Sequence, residues 1–258
     1  QADDAGAKAK RKVLYLTKSA GFVHEAVDRG KTVRLDDQGH AQWSKLETPA
    51  PLAYSEQVLT EIGASSGAFA VTCTQNPADI NAENLKNYDA VVFYTSGDLG
   101  FSNEQKQAFL DFVRNGKGFI GIHSATDTCY NWPEYGELIG GYFDGHPWTQ
   151  DFVADVLDPA HPACAHLGDE WKWHDEVYQF RDLRSDAQVL LRVRDGELDL
   201  TAPGARPPSF GYPLAWCFGE GEGRVFSTSL GHFPGAWEAP AFLRHLSGGL
   251  GWTLGAAA

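Results

Sequence analysis

The sequence lacks several features that would place the protein in other classes. It has no methionine, no run of about 18 apolar residues and no Cys-x-x-Cys pair. The absence of methionine excludes no class of protein by itself, but the absence of a long apolar run excludes a membrane-spanning helix. The missing cysteine pair argues against a purely structural metal site. Basic residues are also scarce, with 21 Lys and Arg against 34 Asp and Glu and a net charge of -13. Nucleic acid and anionic membranes are therefore poor partners, because both require a basic face, and a neutral ligand or a cation fits better.

The missing methionine includes position 1, which suggests processing. We interpret residues 1–11 as the flexible remnant of signal-peptide cleavage, residues 12–255 as one domain and residues 256–258 as a tail. This interpretation predicts a periplasmic or secreted protein. Export would permit a disulfide among the four cysteines. Cys129–Cys164 is the predicted pair, since Cys73 and Cys217 lie in apolar runs typical of buried free thiols.

Apolar runs and helical patterns alternate over the first half of the chain. Strands are predicted at residues 12–17, 69–74, 90–95, 119–123, 152–156, 189–194, 214–218 and 225–229, and helices at 102–114, 135–139 and 239–254. Strands separated by helices favour an α/β domain with a mainly parallel sheet covered on both faces, and the closely spaced later strands favour an added antiparallel section. Residues 38–55 are interpreted as a long excursion beside the site rather than as a separate domain.

Polar residues collect at the carboxyl ends of these predicted strands. His24 follows the first strand, Asp98 follows the third, His123 ends the fourth and His232 follows the last. In open parallel sheets, ligands bind outside the carboxyl ends of the strands. The spacing therefore predicts a functional cluster at one edge of the sheet.

His123 occupies an unusual position within that cluster. In Gly-Ile-His-Ser-Ala, residues 121–125, it stands at the tip of a strand-to-helix turn, where comparable turns hold a serine or cysteine nucleophile. A histidine at the tip indicates proton transfer or metal binding. The structural alternative is a histidine that closes the strand by hydrogen bonding.

The middle of the chain supplies further candidates. His146 lies in a Gly-His-Pro turn, and Asp175 and Glu176 lie in an aromatic stretch; loops of this kind often carry functional sites. For the carboxylate pair, a solvated turn is the alternative. Four other histidines are predicted to be exposed: His40, His161, His166 and His245.

Several ordered motifs together resemble the ThuA-like, or trehalose-utilisation, family from Lys12 to Leu254. These motifs are Phe22-Val23-His24, Gly118 to Asp127, Trp132-Pro133-Glu134-Tyr135, Gly145-His146-Pro147, Asp175-Glu176-Val177-Tyr178 and Gly231-His232. The resemblance implies a flavodoxin-like, class I glutamine amidotransferase-like three-layer α/β sandwich. It also implies a link to the catabolism of disaccharides oxidised to 3-keto sugars.

Two departures limit what the resemblance carries over. Amidotransferases with this fold have a cysteine nucleophile where this chain has His123, so glutaminase activity is not expected. The family often has a His-Pro pair before the Ala-Trp-Cys strand, whereas this chain has Tyr212-Pro213. The ligand or hydrogen bond that the family's histidine supplies is expected either to be missing here or to be made by the Tyr212 hydroxyl.

A 3-keto-glycoside can be cleaved by elimination or hydrolysis, which requires a base, an acid and a group that stabilises an enolate. His24, His123 and His232 are the predicted ligands of a divalent metal, with zinc preferred, and no nucleotide cofactor is expected. Direct binding of sugar hydroxyls by the histidines is the alternative. The predicted catalytic residues are His123, His146, Asp175 and Glu176, and the predicted sugar-binding residues are Asp98, Trp132, Trp148, Trp173 and Tyr212.

A second interpretation is a carbohydrate-binding or sensing module without catalytic activity, because a fold does not determine a function. Aromatic platforms would suffice for such a module. Several histidines and a carboxylate pair at one sheet edge favour an enzyme that acts on a small sugar.

Overall fold

A computed structural model describes residues 10–206 and 210–255. The predictions for residues 1–9 and 256–258 lie outside this part of the chain. The described strands are β1 Arg11–Leu16, β2 Lys31–Leu35, β3 Ala41–Lys45, β4 Phe69–Thr74, β5 Ala90–Phe93, β6 Gly118–Ile122, β7 Tyr142–Phe143, β8 Trp148–Val156, β9 Glu170–Val177, β10 Phe180–Arg181, β11 Gln188–Val193, β12 Pro213–Glu220 and β13 Gly223–Thr228. The α-helices are α1 Tyr54–Ser66, α2 Ala82–Leu85, α3 Asn103–Arg114, α4 Pro133–Ile139, α5 Pro234–Glu238 and α6 Pro240–Thr253. None of the described helices is both long and apolar enough to cross a membrane.

Nine strands form one sheet in the order β4-β1-β5-β6-β13-β12-β11-β8-β9. The first five are parallel to one another, and the last four continue the sheet in antiparallel pairs. β5 and β6 are buried along their whole length, as expected for central parallel strands covered on both faces. The α/β prediction is confirmed, and the antiparallel part is nearly as large as the parallel part.

The sheet separates two hydrophobic cores. Successive side chains of a strand point to opposite faces, so Tyr15 belongs to one core and Leu14 and Leu16 to the other. The Tyr15 core includes residues of α1 and α6. The opposite core includes residues of α3 and α4, with the Phe93 and Phe109 rings stacked at 5.0 Å. Helices therefore cover both faces, which gives the three layers that the resemblance implied.

The helix predicted at residues 102–114 shows why some boundaries can be found from sequence. The Ser102 hydroxyl accepts a hydrogen bond from Gln105 N, and Ser102 N donates one to the Gln105 side-chain oxygen, which forms a capping box. Gly116 follows the end of the helix with a positive φ of 98°. Glycine adopts this backbone conformation at little energetic cost because it has no Cβ atom. This helix is confirmed to within one residue.

Residues 38–55, interpreted as a long excursion beside the site, contain regular elements for which no prediction was made. β2 and β3 pair as an antiparallel hairpin, with Val33 opposite Trp43. The helix α1 that follows was also not predicted. Its Glu56 is fully buried and binds Arg29 at 3.1 Å and Thr17 at 2.6 Å. A charged residue on the buried face hides the apolar periodicity that normally indicates a helix.

The predicted Cys129–Cys164 disulfide is not present. All four cysteines are free thiols. Cys129 belongs to the core on the α3 side of the sheet, and Cys164 belongs to the core on the α6 side. The two sulfur atoms therefore cannot meet without backbone movement.

Two histidines that were predicted to be exposed are buried. His245 is fully buried on the inner face of α6, where its ring contacts the carbonyl oxygen of Ala163 at 2.9 Å and the Thr228 hydroxyl at 3.2 Å. His161 is 6% exposed and its ring stacks near Phe226. His166 is half-buried, and His40 is exposed as predicted. Hydrogen-bond partners on neighbouring segments, which the local sequence does not reveal, allow the His245 imidazole to be buried.

His245 predicts an acid sensitivity of folding. Burial, with smaller effects from His166 and His161, lowers its pKa from 6.5 to about 4. As the pH falls from 6.5 to about 4, His245 takes up a proton in the unfolded chain but not in the folded protein. The free energy of unfolding therefore decreases across that pH range. We expect His245→Gln to remove about 2–3 kcal/mol of this decrease. Urea unfolding at several pH values measures it, and an unchanged pH slope in the variant would contradict the assignment.

Candidate functional site

His123 stands directly after β6 and begins a short 3-10 helix. Its φ of 49° lies in the left-handed region, which is strained for a non-glycine residue and typical of functional turns. The ring is fully buried, and Nδ1 lies 2.6 Å from the carbonyl oxygen of Ser229. A carbonyl only accepts hydrogen bonds, so Nδ1 carries the proton and Nε2 carries the lone pair. The ring thus closes the turn, as the structural alternative required, and also directs Nε2 toward the cluster.

Three histidines from the predicted sheet edge do come together. One ligand nitrogen each from His24, His123 and His232 lies within 4.8 Å of the other two. His24 Nδ1 also lies 3.2 Å from the Ser124 hydroxyl. The pKa of all three is lowered, chiefly by burial, to about 3 for His24 and about 4 for His232. At neutral pH the three imidazoles are therefore uncharged.

The donor set fits a divalent metal ion. Neutral imidazoles are zinc ligands, and in protein sites each nitrogen lies about 2 Å from the ion. The 4.8 Å limit between ligand atoms is compatible with such a centre after small rotations of the rings. The hydrogen bond from His123 Nδ1 to Ser229 is the type of outer contact that orients a metal-binding histidine.

Glu176 brings a carboxylate to the histidines from the antiparallel part of the sheet. Its Oε2 lies 3.2 Å from His232 Nδ1 and 3.5 Å from His123 Nε2, and its Oε1 lies 3.6 Å from His146 Nδ1. Burial raises the pKa of Glu176 to about 7. The carboxylate is thus able both to take and to release a proton near neutral pH. His146 is exposed and lies at the opening of this cluster.

Asp175 has different surroundings from its neighbour. It is fully buried and accepts hydrogen bonds from the Trp173 indole and from the backbone N–H groups of Glu176, Gly231 and His232. Burial raises its pKa to about 6 in spite of these donors. Both oxygens are occupied by donors that hold β9 against the segment after β13. The geometry favours a positioning role for Asp175 over the predicted catalytic one.

The bonds of Asp175 also show how the sheet bends. β9 lies four places from β13 in the strand order, yet Asp175 contacts the two residues Gly231 and His232 that closely follow β13. The antiparallel part therefore curls back over the carboxyl edge of the parallel part. This curl carries Glu176 to the histidines.

Tyr178 is a site residue that the sequence interpretation missed. It is buried, and its hydroxyl donates to His123 Nε2 at 2.7 Å. Tyr178 was part of a quoted motif without an assigned role. Residues i and i+2 share one face of an extended chain, so the placement of Glu176 in the site was the signal that could have found Tyr178.

Other predicted site residues lie elsewhere. Asp98 is exposed and accepts hydrogen bonds from Asn131 at 2.6 Å and from Gly100 N at 3.0 Å, so it caps its own loop. Trp132 and Trp148 are 3% and 4% exposed. Neither presents a free ring face, which corrects the predicted stacking of sugar on these two side chains.

Tyr212 and Trp173 were also predicted to bind sugar. Tyr212 is buried, and its ring packs edge-on against Trp148 at 5.0 Å. The structure therefore places it in the core rather than among the histidines. Trp173 is half-buried and lines a cavity, so it alone of the three predicted tryptophans is accessible to a ligand.

Comparisons with known proteins agree with the motifs. The model of the ThuA family, described as trehalose utilisation, matches residues 12–253. A ThuA-like protein from Bacteroides uniformis has a similar structure, with a TM-score of 0.72 at 18% identity, over 98% of this chain and 95% of that chain. A ThuA-like protein from Parabacteroides merdae gives 0.69 at 21% identity, over 95% and 90%. No curated protein matches the sequence.

Proposed function

The chain belongs to the ThuA family of trehalose-utilisation proteins, and from this premise we propose that it is an enzyme that cleaves 3-keto-glycosides. The observation that carries the proposal is Glu176, a carboxylate with a pKa of about 7 within 3.6 Å of three imidazoles. A base of this strength suits removal of a proton next to a ketone. A module that only binds sugar would need no such group.

The proposed reaction begins at the carbon beside the ketone. The C3 carbonyl acidifies the hydrogen on C2, and Glu176 takes that proton while the electron pair forms an enolate. The enolate expels the glycosidic oxygen from C1, and this oxygen leaves as an alcohol after receiving a proton. Addition of water at C1 and return of a proton to C2 complete a net hydrolysis. Without the water step, the product is the unsaturated keto sugar.

The other side chains have separate roles in this proposal. The Tyr178 hydroxyl, now bound to His123 Nε2, donates to the oxygen on which negative charge develops. His146 is exposed at the opening and passes the proton from Glu176 to the leaving oxygen, since its Nδ1 lies 3.6 Å from Oε1. Asp175 keeps His232 in place by accepting a hydrogen bond from the backbone N–H of His232.

We propose zinc as the metal at His24, His123 and His232, where it would polarise the C3 carbonyl as a Lewis acid. Zinc is expected to bind the purified protein and to raise its melting temperature, because a ligand that binds only the folded state stabilises it. His24→Ala should abolish that increase, and His40→Ala should not, because His40 is exposed and outside the cluster. Equal zinc binding by both variants, measured by elemental analysis, would contradict this site.

Release of sugar from 3-keto-trehalose and from methyl 3-keto-glucoside tests the proposed function. We expect turnover of the keto sugars and none of trehalose or methyl glucoside, which lack the acidified hydrogen. Absence of turnover on every keto-glycoside, together with unchanged sugar affinity in His123→Ala, would favour the binding module. The predicted export stays a prediction, because residues 1–9 lie outside the described part of the chain.

A further inference from the structure

A second concave surface lies beside the histidine cluster. It is a cavity of about 710 Å³ between the tip of the β2–β3 hairpin, the strands β8 and β9, and the start of α5. Its volume is in the range of small-molecule sites. None of His24, His123, His232 or Glu176 lines it, so it is separate from the place where the proposed chemistry occurs.

One side chain separates the cavity from the cluster. Phe233 lines the cavity, and its ring centroid lies 4.8 Å from that of His232 and 5.1 Å from that of His174. His174 is also in the cavity wall. A ligand that occupies the cavity therefore ends one aromatic ring away from His232.

The cavity has an aromatic floor that is held in place from behind. Trp173 lines it, while its ring stacks on Phe242 of the core at 5.9 Å and its indole N–H donates to Asp175. Phe233, which is half-buried, adds further apolar surface. Rigid aromatic surface of this kind packs against the C–H faces of sugar rings.

The rim of the cavity is polar and carries both signs of charge. Asp151 and His174 pair across β8 and β9 at 2.7 Å, and Lys172 and Gln42 stand in the same wall. All four side chains belong to exposed residues and offer both donors and acceptors. Glu197 also lines the cavity, so charges of both signs are present with a small excess of carboxylates. This balance disfavours an anion, and a neutral ligand with many hydroxyl groups can use the donors and acceptors of the rim.

We propose that this cavity binds the second sugar unit of the substrate, the unit that leaves when the glycosidic bond breaks. The inference rests on the proposed function for its substrate class, and it adds a separate subsite for the leaving unit, so that a disaccharide is bound more tightly than a simple alkyl glycoside. The first unit would occupy the histidine cluster, and the bond between the units would pass beside Phe233.

The test compares two substrates in the full chain. Lys172→Ala is expected to raise KM for 3-keto-trehalose by about three- to tenfold, the worth of one hydrogen bond, and to leave kcat/KM for methyl 3-keto-glucoside unchanged. Gln42→Trp, which fills the cavity from β3, should raise that KM further. Lys45→Ala is the control for both substitutions. Lys45 is an exposed lysine like Lys172 and lies on β3 like Gln42, but it does not line the cavity.

Calorimetric binding of unmodified trehalose to the same variants separates the two proposals. If no keto-glycoside is turned over but trehalose binding weakens in Lys172→Ala and Gln42→Trp, the proposed reaction fails and the cavity assignment holds. The cavity assignment would be overturned if the substitutions affected both glycosides equally or affected neither. It would also be overturned if the unaltered protein neither bound trehalose nor turned over 3-keto-trehalose.

Discussion

Glu176→Gln is expected to lower kcat on a 3-keto-glycoside by about 10²- to 10⁴-fold, the usual contribution of a positioned general base. The amide has nearly the shape of the carboxylate but cannot take the proton from C2. Glu176 is 8% exposed and contacts His123, His146 and His232, and no other carboxylate contacts these three rings among the described residues. Steady-state kinetics with 3-keto-trehalose measures the loss.

Two controls make that result specific. Glu134→Gln changes the same chemical group at an exposed position on α4, and kcat should stay within about twofold of the unaltered protein. The affinity of Glu176→Gln for unmodified trehalose should also be nearly unchanged, because a base acts on the reaction rather than on binding. If Glu176→Gln retained kcat, the assignment of the base would be wrong.

Gly97→Ala is expected to destabilise the protein by roughly 2–5 kcal/mol and to displace the loop that carries His24. Gly97 has φ of 74°, a conformation that costs alanine about 1–2 kcal/mol. A Cβ atom there would also lie 2.4 Å from Gly21 N and 2.7 Å from the carbonyl carbon of Ala20. Backbone atoms cannot give way as side-chain ends do, and such overpacking typically costs a further 1–3 kcal/mol.

Gly100→Ala is the matched control for that substitution. Gly100 has φ of 68°, but a Cβ atom there meets nothing within 4 Å. Gly100→Ala should therefore lower stability only by the cost of the positive φ for alanine, about 1–2 kcal/mol. Urea unfolding measures both variants, and zinc binding reports whether His24 has moved. Similar stability losses in the two variants would show that the contact with Gly21 has no importance.

The parts of the fold found from sequence are those whose residues carry the signal themselves. β5 and β6 are short apolar runs, and α3 has a capping box at one end and Gly116 beyond the other. β9 carries Lys172, His174 and both carboxylates, a composition that is typical of a loop. It is a strand because it pairs with β8 and because Asp175 finds four N–H donors.

The same distinction between local sequence and tertiary contacts applies to the site. Local sequence determines where a parallel strand ends, and carboxyl ends of parallel strands share one edge; His24, His123 and His232 therefore meet there as predicted. Only the tertiary structure decided that the antiparallel strands curl back and bring Glu176 and Tyr178 to them. The direction of a side chain and the path of a sheet depend on contacts between segments far apart in the chain. A single sequence does not display those contacts. It therefore identified the three histidines and offered Asp175 and Glu176 as alternative carboxylates, and the fold placed Glu176 against the rings and added Tyr178.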